Sequence, residues 1–263
     1  HDYAKDAIRY TRMHEEGLKN FRATTESSFK LPLEDGSPIT INGKYDKVIQ
    51  FGPNSKYYCV IDYKTGGERF DQKLFQYGLS IQLPFYALYA KNDKTYEGKE
   101  LMGLFIAPLL NMKLFPSGNK TYEEEVFSSF KWDGVFLADV GKLRELSPND
   151  KSDLIVGLSI KKDGTLSDSS KTPGMGRIKT AEQLSEMAEK AKQIVIEADG
   201  KITKGEFEIK PIEVENLFKA CDRCEFRSIC YRDDSAIKRV PKLLDENNED
   251  ETIDEEEVPY GLD

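Results

Sequence analysis

The spacing of apolar residues changes several times along the chain, and each change predicts an element. Near the start, Ile8, Met13, Leu18 and Phe21 recur among charged residues and predict a surface helix over residues 4–21. The period then shortens to two. Strands are expected at 28–33, 39–51 and 56–64. They are separated by turns at 34–38 and at Gly52-Pro53-Asn54-Ser55 and closed by Thr65-Gly66-Gly67. A helix is expected over 80–90, with Pro84 in its first turn, where backbone N–H groups lack helical partners in any case. Residues 101–110 are an unbroken apolar run of strand length, the pattern of a buried central strand. A second helix is expected over 178–198, with Thr180 as N-cap, Gln183 three residues on, and Leu184, Met187 and Ala191 turned inward. Between 112 and 175, clusters of Gly, Ser, Asn and Lys interrupt short apolar pieces, and the pattern predicts no definite element. There is no internal repeat.

Helix, three strands, helix, strand and a helical C-terminal part amount to an α/β (α+β) fold class: a mixed central sheet flanked by helices, then a helical part carrying cysteines. With 263 residues the chain can bury a sizeable core. No apolar run approaches the ~20 residues that span a bilayer, and residues 1–25 are rich in charge, so neither a membrane partner nor a signal peptide is expected. The first residue is His1, which reads as a processed chain or a fragment of a longer one.

The net charge of -9 would argue against nucleic acid if it were spread evenly. It is not: residues 233–263 hold 12 acidic and 3 basic side chains, and the remainder holds 35 of each sign. The expected organisation is a domain over 1–232 followed by an acidic, disordered or extended tail over 233–263. Three of the four cysteines, Cys221, Cys224 and Cys230, fall within ten residues. That layout is uneven for a secreted disulfide framework and points to the reducing cytoplasm.

The candidate chemistry lies in the paired strands. An antiparallel hairpin centred on Asn54 sets Asp46 opposite Asp62 and Val48 opposite Val60. Asp46, Val48, Val60, Asp62 and Lys64 then share one face, and Cys59, Ile61 and Tyr63 take the other. Two carboxylates facing each other among apolar neighbours repel, so a proton or a cation must come between them. A hard divalent ion prefers such oxygens. Lys64, on the same face, can orient an attacking water and offset negative charge growing on a phosphate.

Gly43…Asp46, then Val60-Ile61-Asp62-Tyr63-Lys64-Thr65-Gly66, then Gln82-Leu83-Pro84-Phe85-Tyr86, resembles the RecB-like branch of the PD-(D/E)XK nucleases, in order and in spacing. Tyr77-Gly78-Leu79-Ser80-Ile81-Gln82 is similar to the matching stretch of AddB-type subunits of bacterial helicase–nucleases. The resemblance covers about residues 26–232. It implies a restriction-endonuclease-type core, with Asp46, Asp62 and the Tyr63 carbonyl binding Mg²⁺ or Mn²⁺, Lys64 catalytic, and Gln82 and Tyr86 positioning the strand. It further implies a DNA exonuclease acting on a single-stranded end, with a helicase–nuclease partner subunit, in the repair of broken DNA. A family member usually supplies a further His ligand from an early helix. His14 lies too close to the strands for that layout, and His1 is the only other histidine.

Taken alone, Cys221-x2-Cys224-x5-Cys230 is part of a zinc site that lacks a fourth ligand. The resemblance implies instead a 4Fe-4S cluster, its fourth cysteine lying before the nuclease core. Cys59 is expected to be an inert core thiol. Three other readings remain open at this point: a stand-alone or CRISPR-associated nuclease of the same superfamily, a non-catalytic DNA-binding or scaffold module, and a zinc-bound interaction module.

Overall fold

The computed structural model describes residues 2–16, 22–32, 40–66, 70–109, 121–167 and 176–241. Helix α1 (Asp2–Glu16) precedes two long antiparallel strands, β1 (Arg22–Pro32) and β2 (Thr40–Phe51). A 3-10 turn at Pro53–Ser55 then reverses the chain. Gly52 enters it with φ 73° and Asn54 sits at φ 53°, a backbone region that glycine and asparagine accept at low cost. Strand β3 (Tyr57–Lys64) returns antiparallel to β2, with Val48 opposite Val60 and Lys47 opposite Ile61. This is the register the sequence predicts.

The chain next forms two helices, α2 (Gln72–Gln76) and α3 (Gln82–Asn92), and strand β4 (Glu100–Pro108), which lies parallel to β3. Helix α4 (Tyr122–Ser129) begins on a capping box between Thr121 and Glu124. Strand β5 (Asp133–Leu137) runs antiparallel to β4; helix α5 (Val140–Leu146) and the two-residue strand β6 (Ile178–Lys179) follow. The sheet order is β1-β2-β3-β4-β5-β6, with β6 parallel to β5. Helix α6 (Ala181–Thr203) starts on the expected capping box of Thr180 and Gln183, and it buries Leu184, Ala188 and Ala191. The mixed sheet flanked by helices is the fold class the pattern predicts. Among the described residues, no helix is long and apolar enough to cross a membrane.

The core sits around β3 and β4. Val60, Ile61, Leu104 and Phe105 are wholly buried, and each such side chain contributes roughly 1.5–3 kcal/mol through burial. A slip of β3 by one residue would exchange its two faces and forfeit several of these terms. The core therefore fixes which way Asp62 and Lys64 point. Helix α3 packs against β3, β4 and α6. Seven of its eleven residues are buried, which is why it shows no single apolar stripe.

Three expectations need correction. Helix α1 does not bury the predicted side: Ile8 and Met13 are 55% and 44% exposed, and the anchor is Tyr10. Its ring stacks on Phe130 with centroids 5.2 Å apart and meets Phe127 edge-on at 5.8 Å. An aromatic ring removes more apolar surface from water than Ile8 does and so sets the helix face. Second, the first strand is longer than predicted, beginning at Arg22. Third, the cysteines are not on helices. After α6 the chain forms a separate small sheet, β8-β7-β9, from β7 (Ile212–Val214), β8 (Phe218–Lys219) and β9 (Lys238–Val240), and the cysteines occupy the turns between β8 and β9. Strands of two or three residues are too short to show a period.

β9 falls within the acidic stretch and pairs with β7, and the Tyr77 hydroxyl donates to the Pro241 carbonyl at 2.7 Å. Leu18, Phe21, the turn at 34–38 and residues 242–263 lie outside the described residues.

Gly134, opposite Phe105 on β4, is where two backbones come closest. A Cβ there would lie 2.0 Å from the Leu104 carbonyl oxygen. Gly134→Ala is expected to lower stability by about 1–3 kcal/mol, read as a lower urea midpoint at unchanged m-value.

Candidate active site

β3 and its parallel neighbour β4 finish together, Lys64 beside Pro108. The carboxyl ends of parallel strands are where open α/β sheets place their sites. Asp62 is 2% exposed, a severe setting for a carboxylate. Gln82, the first residue of α3, donates from Nε2 to its Oδ1 at 2.9 Å. The Lys64 ammonium lies 2.7 Å from Oδ2, close enough for an ion pair but at an angle too oblique for a hydrogen bond. Lys64 also donates to Oε1 of Gln82 at 2.8 Å.

The same Gln82 nitrogen donates to the Tyr86 hydroxyl at 2.8 Å, and that hydroxyl donates to the Lys44 carbonyl at 2.9 Å. Gln82 and Tyr86 are one helical turn apart and share a face. The network assigns the Gln82 amide orientation, since the opposite flip would set N–H groups against the Lys64 ammonium.

Asp46 is held differently. The ladder between β2 and β3 ends at Lys47 and Ile61. Asp46 follows it with its side chain, Oδ2 accepting the Tyr63 N–H at 2.7 Å. Among the described residues no donor is placed on its Oδ1. Burial raises the Tyr86 phenol above its ordinary 10.0; the Gln82 hydrogen bond opposes this, and the charges of Asp62 and Asp46 add to it. Tyr86 is thus a protonated donor at neutral pH, and its hydroxyl feels both carboxylates.

The structure therefore brings Asp62, Lys64, Gln82 and Tyr86 into one bonded cluster, with Asp46 on the peptide next to Asp62. Tyr63 contributes its backbone there, while its hydroxyl accepts from the buried Lys47 at 3.4 Å. The Lys44 carbonyl is the member that sequence reading misses, because a backbone acceptor leaves no trace in residue type.

The donors at this centre are oxygens alone, which suits a hard divalent cation. Two carboxylates against one ammonium leave an uncompensated negative charge in a partly desolvated place. Among the described residues no three His, Cys, Asp or Glu side chains converge. An ion held by one or two carboxylates, with the rest of its shell from carbonyl and water, is the way Mg²⁺ is usually bound. The residues present fit such an ion.

The cysteines form no part of this cluster. Cys59 is buried, and burial pushes its thiol well above the ordinary 9.0. The Cys221 sulfur accepts from Arg232 Nε at 3.1 Å, and Cys224 is exposed. His14 falls within α1, and its side chain and His1 lie outside the described residues.

A family profile described as the PD-(D/E)XK nuclease superfamily matches residues 2–231. The chain belongs to the PD-(D/E)XK nuclease superfamily. The superfamily match runs from α1 through the cysteine turns. The chain is also similar to bacterial proteins named as the second of the subunits of an ATP-dependent helicase/deoxyribonuclease. That of Clostridium acetobutylicum is 29% identical over 224 residues, covering 82% of this chain and 18% of that protein. That of Clostridium perfringens is 30% identical over 240 residues, covering 84% and 20%. That of Carboxydothermus hydrogenoformans is 29% identical over 207 residues, covering 74% and 18%. The chain spans about a fifth of the length of these relatives.

Removing the bridging hydroxyl is the mildest way to disturb the cluster. Tyr86→Phe is expected to cost about 1 kcal/mol, the size of one lost buried hydrogen bond, measured by chemical denaturation at neutral pH.

Proposed function

We propose that this domain is a metal-dependent deoxyribonuclease that hydrolyses phosphodiester bonds at a single-stranded DNA end. In this reading it is the nuclease part of a helicase–nuclease that processes broken DNA in repair and recombination. The observation that carries the reading is the buried Asp62 carboxylate bound at once to Lys64 and Gln82, with Asp46 on the adjoining peptide. A buried charge cluster of this kind is an expensive way to hold a fold together, and the superfamily to which the chain belongs is one of nucleases. The names of the relatives supply DNA as the substrate and the helicase as the partner.

Asp46, Asp62 and the Tyr63 carbonyl would hold Mg²⁺ or Mn²⁺. Bound there, the ion supplies Lewis-acid charge and lowers the pKa of water. The remaining work falls to the chain's own groups. Lys64 Nζ, set by Asp62 and Gln82, orients the attacking water and faces the charge that grows on the phosphate oxygens. Gln82 keeps Asp62 and Lys64 in register, and Tyr86, tied to the Lys44 carbonyl, keeps Gln82 in place.

Asp62→Ala and Lys64→Ala are each expected to lower Mg²⁺-dependent cleavage of labelled single-stranded DNA by at least ~10²-fold, with the circular dichroism spectrum of the full-length protein unchanged. Cleavage at the wild-type rate in either variant defeats the mechanism.

Cys221, Cys224 and Cys230 supply three thiolates of a 4Fe-4S cluster, with a fourth ligand from outside this turn. The donor type suits iron–sulfur chemistry, and Cys224 N–H already bonds the Cys221 carbonyl at 3.4 Å. Among the described residues the three sulfurs are not gathered on one point, so binding must draw the turn closed, and no step of the hydrolysis runs through the cluster. The full-length protein is expected to contain iron and acid-labile sulfide, both lost in Cys224→Ser. Zinc in place of iron overturns the assignment.

A further inference from the structure

Beside the Asp62–Lys64–Gln82 cluster lies a cleft of about 490 Å³, within the ~300–1,000 Å³ range of sites that take small ligands. One wall belongs to the nuclease core, where Phe70 and Leu74 give it an apolar surface. The opposite wall comes from the small C-terminal sheet, where Leu217, Phe218 and Lys219 line it. Lys64 and Gln82 belong to both places: they line the cleft and they bind Asp62. Any strand laid across the cleavage cluster on this side must enter the cleft.

Its chemistry is that of a nucleotide site. A flat apolar surface with an aromatic ring suits the face of a base, and two ammonium groups at the same mouth suit a phosphate. Lys219 is an exposed cation whose ion pair, with Glu213 at 3.2 Å, lies at the surface; such pairs yield readily to a competing anion. The one carboxylate of the lining, Asp222, lies 3.3 Å from Arg227.

We propose that this cleft is the subsite for the nucleotide next to the cleaved phosphodiester, with Phe218 stacking on its base and Lys219 meeting its phosphate. The proposal rests on the nuclease reading above and goes beyond it by giving the C-terminal sheet a share in substrate binding. Stacking accepts any base, so this subsite confers affinity and position rather than sequence preference.

The test uses the full-length protein and a labelled single-stranded oligonucleotide. Affinity is measured by anisotropy without divalent metal, and KM and kcat with Mg²⁺. Phe218→Ala is expected to raise KM and Kd by about tenfold with kcat within about twofold, and Phe218→Tyr is expected to restore both. Substrates carrying one abasic position, moved stepwise from the end, include one that weakens wild-type binding to the same degree; on it Phe218→Ala has no further effect. Lys219→Gln lowers the slope of log K against log salt by about 0.7.

Wild-type Kd in Phe218→Ala, or losses that simply add on the abasic strand, overturn the subsite while leaving the nuclease reading intact. A wild-type protein that neither binds nor cleaves DNA overturns that reading, and the subsite with it. If Phe218→Ala does not fold, the abasic series on the wild type decides: no position whose base matters for binding overturns the proposal.

Discussion

A carboxylate with 2% exposure must be answered by charge and hydrogen bonds from its own surroundings, and the site follows from how the fold answers Asp62. The nearest source of charge in the chain is Lys64, two residues along β3 and therefore on the same face. The nearest source of a neutral donor is Gln82. Such a pair does not justify itself by stability: a buried ion pair commonly loses to an apolar pair of the same size, because desolvation offsets the attraction. Its retention within a wholly apolar pair of central strands is a chemical statement rather than a structural one.

Holding Gln82 in place consumes the connection before it. Asp71 caps α2 through the N–H groups of Lys73 and Leu74, and the Asp71 N–H donates to the Ser80 hydroxyl at 3.4 Å. Ser80 takes positive φ, and α3 then starts at Gln82 with no side chain capping it. The turn is bonded to itself, and the side chain that opens the helix is turned toward Asp62 instead of toward the helix end. The cost of an uncapped start, of order 1 kcal/mol, is carried by the burial of most of α3. Asp46 is fixed by a comparable substitution, its carboxylate taking the Tyr63 N–H just past the end of the β2–β3 ladder.

Much of this was legible in the sequence, for identifiable reasons. The turn at Gly52–Ser55 and the apolar residues on both sides determine the hairpin register, so the common face of Asp62 and Lys64 could be read directly. The helical spacing of Gln82 and Tyr86 was equally plain. What escaped was structure that residue type does not encode. The five-residue α2, the two-residue β6 and the small C-terminal sheet are too short for a period. The face of α1 was misjudged because a half-polar Tyr10 outweighed two aliphatic residues. The bond from Tyr63 N–H to Asp46 and the Lys44 carbonyl under Tyr86 are backbone contacts, visible only once the strands are placed.

The C-terminal sheet ties these observations together. Lys219, at the end of β8, is also the residue on which the 3-10 turn Ala220–Arg223 begins, so the wall of the cleft and the first cysteine turn are one continuous piece of backbone. Its hold on the core includes the Tyr77 hydroxyl bond to Pro241, beyond β9. A strand pair of two and three residues has little stability of its own. Whatever orders the cysteine turn therefore orders Phe218 and Lys219, and whatever loosens it widens the cleft beside Lys64. Binding at the cysteines and geometry at the carboxylates are thus linked through three consecutive residues, Phe218, Lys219 and Ala220, without any contact between the two centres.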